Sequence, residues 1–282
     1  MMGFFGSKKV ELPKHNPVLE HALKTPALQK LVGKRVILAS NSPRRRDILR
    51  TFGLAPEIVP STFEETLPFG GFQDPHEYPV ATATHKAVEV YERLVNENPD
   101  DAPDLVIAAD TVVLTHPPPG LSSTPRFVDE LPPPQDILEK PTDKEDNLRM
   151  LLDLNGGVCE VVTGVSVGAY PPLPPLLLSY SPPGSFRSMG LFPVLEAPGY
   201  KIKSIEERTL VHFAQNEHSL LEAYVESGEG KDRAGGFAIQ GLGGMLVSKI
   251  DGDYQNVVGF PAASFFKFLD VLVEEEVDFL SD

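Results

Sequence analysis

The sequence predicts an α/β domain built around a central sheet. Three observations lead there. Short runs of apolar and β-branched residues alternate with stretches whose apolar positions recur at helical spacing. Capping and turn residues stand at the junctions between them, and a chain of 282 residues is long enough to bury a core of that kind.

The elements follow in order. Residues 35–40 read as a buried strand, and Ser42-Pro43 as an N-cap with proline at the first helical position, opening a helix over about 43–52. Glu57 to Pro60 is a candidate strand, followed by an acidic turn with Glu64 and Glu65. Ala83, Ala87, Val90 and Leu94 share one face of a helix from about Pro79 to Asn96. Leu105 to Ala109 is a wholly apolar strand ending in Asp110-Thr111, with Val112 to Leu114 extending it. Thr142, with Glu145 three residues on, forms a capping box for a helix through Leu154. Strands are expected at Val158 to Gly168 and Lys203 to Phe213, with a short helix at Ser219 to Ser227. A Gly-rich, β-like stretch follows at Phe237 to Ile250, then an amphipathic helix from Pro261 to Val277 with an acidic tail.

Residues 1–33 read as an N-terminal extension and 34–280 as one domain. Of the 28 prolines, seven lie in 116–136 and eight in 170–199. Proline runs are excluded from helix interiors and central strands, so both windows read as surface insertions, able at most to offer polyproline segments to a partner. The formal net charge of −15 argues against broad nucleic-acid binding, which needs many Lys and Arg, but leaves room for a small anion in one basic pocket. No run is long enough to span a membrane, and the N-terminus lacks the apolar core of a signal peptide. With Cys159 the single cysteine, a reducing compartment fits, and a soluble cytoplasmic protein is expected.

The candidate chemistry begins at the first strand–helix junction. A helix N-terminus gathers unpaired N–H groups and positive partial charge; Ser40, Asn41 and Ser42 add donors there, and Arg44 and Arg45 can fork onto phosphate oxygens. Basic residues at that end oppose the helix dipole, so an anion site explains them better than stability does. Asp110, where the most apolar strand ends, is a candidate metal ligand or proton acceptor, or an aspartate that merely closes a strand. Glu65 is a candidate second oxygen ligand, or part of a solvated turn. Lys86 either reaches a pocket or snorkels to solvent, and Lys140 stands just before a helix start, where a neighbouring anion would suit it. Thr163-Gly164 suggests a close approach of backbone or ligand, and Gln240 in a Gly-rich turn can present a donor and an acceptor to a pyrimidine edge. Together these suit a nucleoside triphosphate with Mg²⁺, although the P-loop and Rossmann fingerprints are absent.

Taken in order, Ser40-Asn41-Ser42-Pro43-Arg44-Arg45, Ala109-Asp110-Thr111-Val112, Glu139-Lys140-Pro141, Thr163-Gly164-Val165 and Ala234 through Gly241 resemble the Maf family of nucleotide pyrophosphatases over roughly 35–270. The resemblance implies a Maf/inosine-triphosphatase-like fold: a mixed central sheet flanked by helices, with a nucleotide cleft. It implies cleavage of dTTP or UTP to the monophosphate and pyrophosphate with Mg²⁺ or Mn²⁺ in a homodimer; the expectation of a cytoplasmic protein that binds neither nucleic acid nor membrane rests on the composition above. Carried over by residue, Asp110, Lys86, Lys140 and Glu65 line the reaction centre, with Asp110 the base and Glu65 and Asp110 the metal ligands. Ser40, Ser42, Arg44, Arg45, Thr163, Arg233 and Gln240 then bind substrate. Gln240 matches the signature of the dTTP/UTP branch rather than the 7-methyl-GTP branch. Arg233 replaces the usual lysine and Phe237 the usual tyrosine. A nucleotide-binding regulator of cell division with little turnover is the alternative.

Overall fold

The computed structural model describes residues 14–65, 67–116, 135–169, 187–188, 193–197, 200–275 and 280. Most of both Pro-rich windows, the first 13 residues and the acidic tail lie outside the described residues. The helices are α1 (Pro26–Lys30), α2 (Pro43–Thr51), α3 (Glu77–Glu97), α4 (Lys144–Leu154), α5 (His218–Ser227), α6 (Tyr254–Val258) and α7 (Ala262–Glu275). The strands are β1 (Val36–Leu38), β2 (Glu57–Ile58), β3 (Leu105–Thr115), β4 (Ile137–Leu138), β5 (Val158–Ala169), β6 (Arg187–Ser188), β7 (Pro193–Ala197), β8 (Tyr200–Phe213) and β9 (Val247–Asp251). They form one mixed sheet in the order β2-β1-β3-β5-β8-β7-β6, with β4 also on β3 and β9 also on β8.

One edge of β3 changes partner along its length. Leu105 to Ile107 pair in parallel with β1, whereas Val113 and Leu114 pair antiparallel with β4. Between them residues 108–112 keep an open edge, while the other edge stays fully paired to β5 from Leu105 to Thr115. Asp110 therefore lies mid-strand, at the point where the parallel part of the sheet has just ended. The expected position, at the carboxyl end of a strand, holds for β1 rather than for β3.

The alternation of β3 sorts its side chains. Leu105, Ile107 and Ala109 enter the core beneath α1, α2 and α7, with Leu49, Phe265 and Leu269, while Val106 and Ala108 meet Ala87, Val90 and Leu94 of α3. A further cluster joins Val113 and Val161 to α4 and α5. α3 comes unusually close because the surface beneath it is small: Gly164 lies under Pro79 and Val80, and Ser166 and Ser204 bond to Thr84 and to each other. Pro79 is tolerated because it falls in the first helical turn, so α3 starts two residues before it.

Three expectations are corrected. The cap of α4 is Asp143 rather than Thr142: its side chain accepts from the Asp146 N–H, and the Asp146 carboxylate accepts from the Thr142 N–H. The Gly-rich stretch is not β-like until Val247: Gly235 and Gly236 adopt positive φ, and residues 242–246 form a 3₁₀ turn. Part of the second Pro-rich window is sheet, since β7 pairs with β8, and Pro193 opens its strand, where a missing N–H is tolerated.

Candidate active site

A cleft of about 910 Å³ opens along the free edge of β3, between the start of α2, the loop after β2, α3 and the turn at 232–237. Of the residues predicted from sequence, Ser40, Ser42, Arg44, Arg45, Glu65, Lys86, Asp110, Lys140 and Arg233 all line it. Two do not. Thr163 lies behind the wall, fully buried, with its hydroxyl 3.0 Å from that of Thr111. Gln240 is exposed and outside the lining, so its amide is not placed against the cleft.

At the floor, Lys86 projects from α3 between two carboxylates: its Nζ lies 2.8 Å from Asp110 Oδ1 and 2.6 Å from Glu65 Oε1. Lys86 is 7% exposed and Asp110 likewise, so the ammonium reaches a pocket rather than snorkelling. Burial works against the Glu65 carboxylate, but Lys86, then Lys140 and Arg45, outweigh it and hold its pKa below the ordinary value. A third carboxylate, missing from the sequence-based set, is Glu139, which accepts a 2.9 Å hydrogen bond from the Tyr78 hydroxyl. Burial, then Asp110 and Glu65, push Glu139 upward despite that bond. Its place beside Lys140 in a conspicuous triplet was the available signal; nothing in the sequence marked Tyr78.

The two arginines of α2 divide their work. Arg45 fills the open edge of β3, donating to Ala109 O at 2.7 Å, Thr111 Oγ1 at 3.0 Å, Gly259 O at 3.0 Å and Ser40 Oγ at 3.3 Å. A guanidinium has five N–H donors, so most of this fork is spent inside the protein. Burial lowers its pKa, opposed by Asp110 and Glu65. Arg44 makes one long bond, 3.4 Å to Asp232 O. Arg233 donates 3.3 Å to that same carbonyl, and its buried Nε has no hydrogen-bond partner in the protein. Ser42 caps α2 in position, but its side chain makes no capping bond. Arg44 and Arg233 thus meet at one carbonyl with donors to spare, as an anionic ligand in the cleft requires.

Among the described residues, no three His, Cys, Asp or Glu side chains form an all-protein metal cage. Asp110 and Glu65, which share the Lys86 ammonium, are oxygen donors of the kind a hard cation takes when phosphates supply its remaining ligands. Cys159 is buried and pushed up to about 12, first by burial, which leaves it out of the chemistry.

The sequence of the Maf-like protein family matches residues 35–272, which takes in every element of this cleft. The chain belongs to the Maf family. Among Maf relatives, the probable bifunctional dTTP/UTP pyrophosphatase/methyltransferase protein of Homo sapiens is 41% identical over 244 residues, 86% of this chain. This chain spans about a third of that human protein's length, the matched part being 33%. The dTTP/UTP pyrophosphatase of Schizosaccharomyces pombe is 34% identical over 90% of both chains. That of Thermoanaerobacter sp. (strain X514) is 31% identical over 83% of this chain and 95% of its own. Among the described residues of this Maf protein, no helix is long and apolar enough to cross a membrane.

Proposed function

We propose that this protein hydrolyses pyrimidine nucleoside triphosphates, dTTP and UTP foremost, between the α- and β-phosphates, releasing the nucleoside monophosphate and pyrophosphate. The observation that carries this reading is the Lys86 ammonium held between Asp110 and Glu65 in a cleft also lined by Arg44 and by Arg233, whose Nε is unpartnered. The names borne by the relatives agree with it.

The residues take roles that follow from their partners. Arg44, Arg233 and Lys140 hold the β- and γ-phosphates as charge-assisted donors. Arg45 keeps the mouth of β3 open at a fixed width, with Ser40 and Thr111 braced against it. Asp110, whose Oδ1 is taken by Lys86, orients a water and accepts its proton through Oδ2 as the water oxygen bonds to the α-phosphorus. The bond from the α-phosphorus to the bridging oxygen breaks and pyrophosphate leaves with that electron pair, its charge met by Lys86 and Lys140. Asp110 and Glu65 are the residues that would hold a divalent cation, Mg²⁺ or Mn²⁺, which when bound would neutralise phosphate charge.

The test is a panel of dTTP, UTP, CTP and 7-methyl-GTP with Mg²⁺ or Mn²⁺, with separate detection of pyrophosphate and orthophosphate. Pyrophosphate release fastest from dTTP or UTP supports the reading. Binding without release would instead favour a regulator, and orthophosphate as the first product would place cleavage at the wrong bond.

A further inference from the structure

The charged residues of the cleft account for phosphates and water but leave the base without a partner, since Gln240 is not in the lining. One aromatic side chain there is suited to it. The Phe63 ring stacks on His85 of α3 with centroids 5.0 Å apart and planes 8° from parallel, and Phe63 also lines the cleft. One face is thus backed by a second ring while Phe63 borders the cavity. Phe237, the other aromatic in the lining, is 6% exposed and held edge-on by Phe213 at 5.0 Å, so it belongs to the core.

The loop that carries Phe63 is fastened rather than free. Glu89, one turn along α3 from His85, accepts from Ser61 Oγ at 2.7 Å, Thr62 N at 3.0 Å and Thr62 Oγ1 at 2.9 Å. Arg93 donates to Glu89 at 2.7 Å and to Pro60 O at 2.8 Å, and the Phe63 N–H donates to Ser61 Oγ at 3.1 Å. Burial alone would raise the Glu89 carboxyl, but these bonds hold it down at about 2, so the clamp stays charged at neutral pH. Burial also keeps His85 below its ordinary range, so it backs Phe63 as a neutral ring. The same loop delivers Glu65 to Lys86, and His85 precedes Lys86 on α3, which sets the ring beside the reaction centre.

We propose that Phe63, backed by His85 and fixed through Glu89, is the stacking platform for the nucleobase. This rests on the nucleotide reading above and adds the base subsite to it. A preorganised ring grips any base face and adds affinity without hydrogen-bond readout, so the platform binds the base while its identity is set elsewhere.

Two variants test it against a ligand that has no base, inorganic tripolyphosphate. Phe63→Leu keeps apolar bulk and loses the ring face; it is expected to raise KM for dTTP and UTP about ten-fold, or ~1.4 kcal/mol. Its kcat should change less than about two-fold and competitive inhibition by tripolyphosphate not at all. The chain has no tryptophan, so Phe63→Trp installs a single fluorophore whose emission should be quenched by UTP and not by tripolyphosphate. Equal losses for nucleotide and tripolyphosphate, or an unquenched Phe63→Trp protein that still turns over UTP, overturn the platform and leave the pyrophosphatase reading standing. Wild-type protein that neither binds nor cleaves dTTP or UTP overturns both.

Discussion

Replacing Gly164 with alanine adds one methyl group at the most crowded point of the molecule. Its Cβ would stand 2.5 Å from Pro79 C and 2.6 Å from Pro79 O, and closer still to Val80 N, all backbone atoms of α3. Ordinary contact begins at 3.4 Å, so the helix must back away by about 0.9 Å. β5 cannot yield instead, because it is paired along its length to β3 on one side and β8 on the other. Gly164 pairs directly with Asp110, so the new methyl and the Asp110 carboxylate project from the same face. Lys86 rides on the displaced helix, and its 2.8 Å bond to Asp110 would stretch past hydrogen-bonding range. Overpacking of this kind costs about 1–3 kcal/mol, which at ~2–4 °C per kcal/mol lowers Tm by roughly 2–12 °C. A misplacement near 1 Å at a reaction centre costs about a hundred-fold, so kcat should fall by about that factor with a smaller change in KM. Thermal unfolding and pyrophosphate release from UTP measure the two effects. A Gly164→Ala protein with wild-type Tm and kcat would falsify the view that this glycine sets the height of α3 over the site.

Further expectations follow from the same geometry. Asp110→Asn keeps the volume and removes the basicity, so kcat for dTTP should fall at least about a thousand-fold while nucleotide affinity, read by calorimetry, stays within about three-fold; near-normal turnover moves the base elsewhere. Arg45→Met strips the open edge of β3 of its donors and should cost about 2–4 kcal/mol in urea unfolding, whereas Arg44→Ala should stay within about 0.5 kcal/mol and weaken triphosphate binding; the reverse order refutes the division of labour. Glu160 lies 3.0 Å from His76 and 3.4 Å from His116, with Asp74 on the other side of His76 and Arg208 nearby. His76 is raised, first by Glu160, so its contribution is complete below 6.5 and fades as pH rises through the raised value. Glu160 is lowered, first by His76, so its contribution is complete above 4.5 and fades as pH falls through the lowered value. The Tm deficit of Glu160→Gln should therefore be greatest between pH 4.5 and 6.5 and shrink above; a deficit constant into the alkaline range contradicts the pairing.

Periodicity and caps made the order of elements legible, because α2, α3 and the long strands declare themselves within a dozen residues. Most of the cleft was legible too, since Ser40, Arg44, Asp110 and Lys140 stand in short distinctive runs. What could not be read was how distant segments share one group. The sequence places Arg45 at an anion site but does not show that Ala109 and Gly259, 64 and 214 residues away in sequence, also take donors from it. Gln240 lies outside the cleft lining for a related reason: positive φ at Gly235 and Gly236 redirects the chain, and composition does not say which way such a turn will face. Phe63 carries no signal in the sequence, because a single aromatic before a pair of glutamates has no period and no cap.

A cleft whose five cationic side chains are matched by five carboxylates, in a chain of net charge −15, has a consequence for the approach of substrate. At about 0.01 M ionic strength the Debye length is ~30 Å, so an incoming triphosphate senses most of the molecule and is repelled. At about 0.15 M the length shrinks to ~8 Å, and a triphosphate at the cleft senses chiefly the groups that line it, Arg44, Lys140 and Arg233 among them, rather than the net charge of the whole chain. Added salt therefore hastens encounter while loosening the bound complex. A substrate whose charge has already been halved by a cation meets the weaker repulsion and the same cradle.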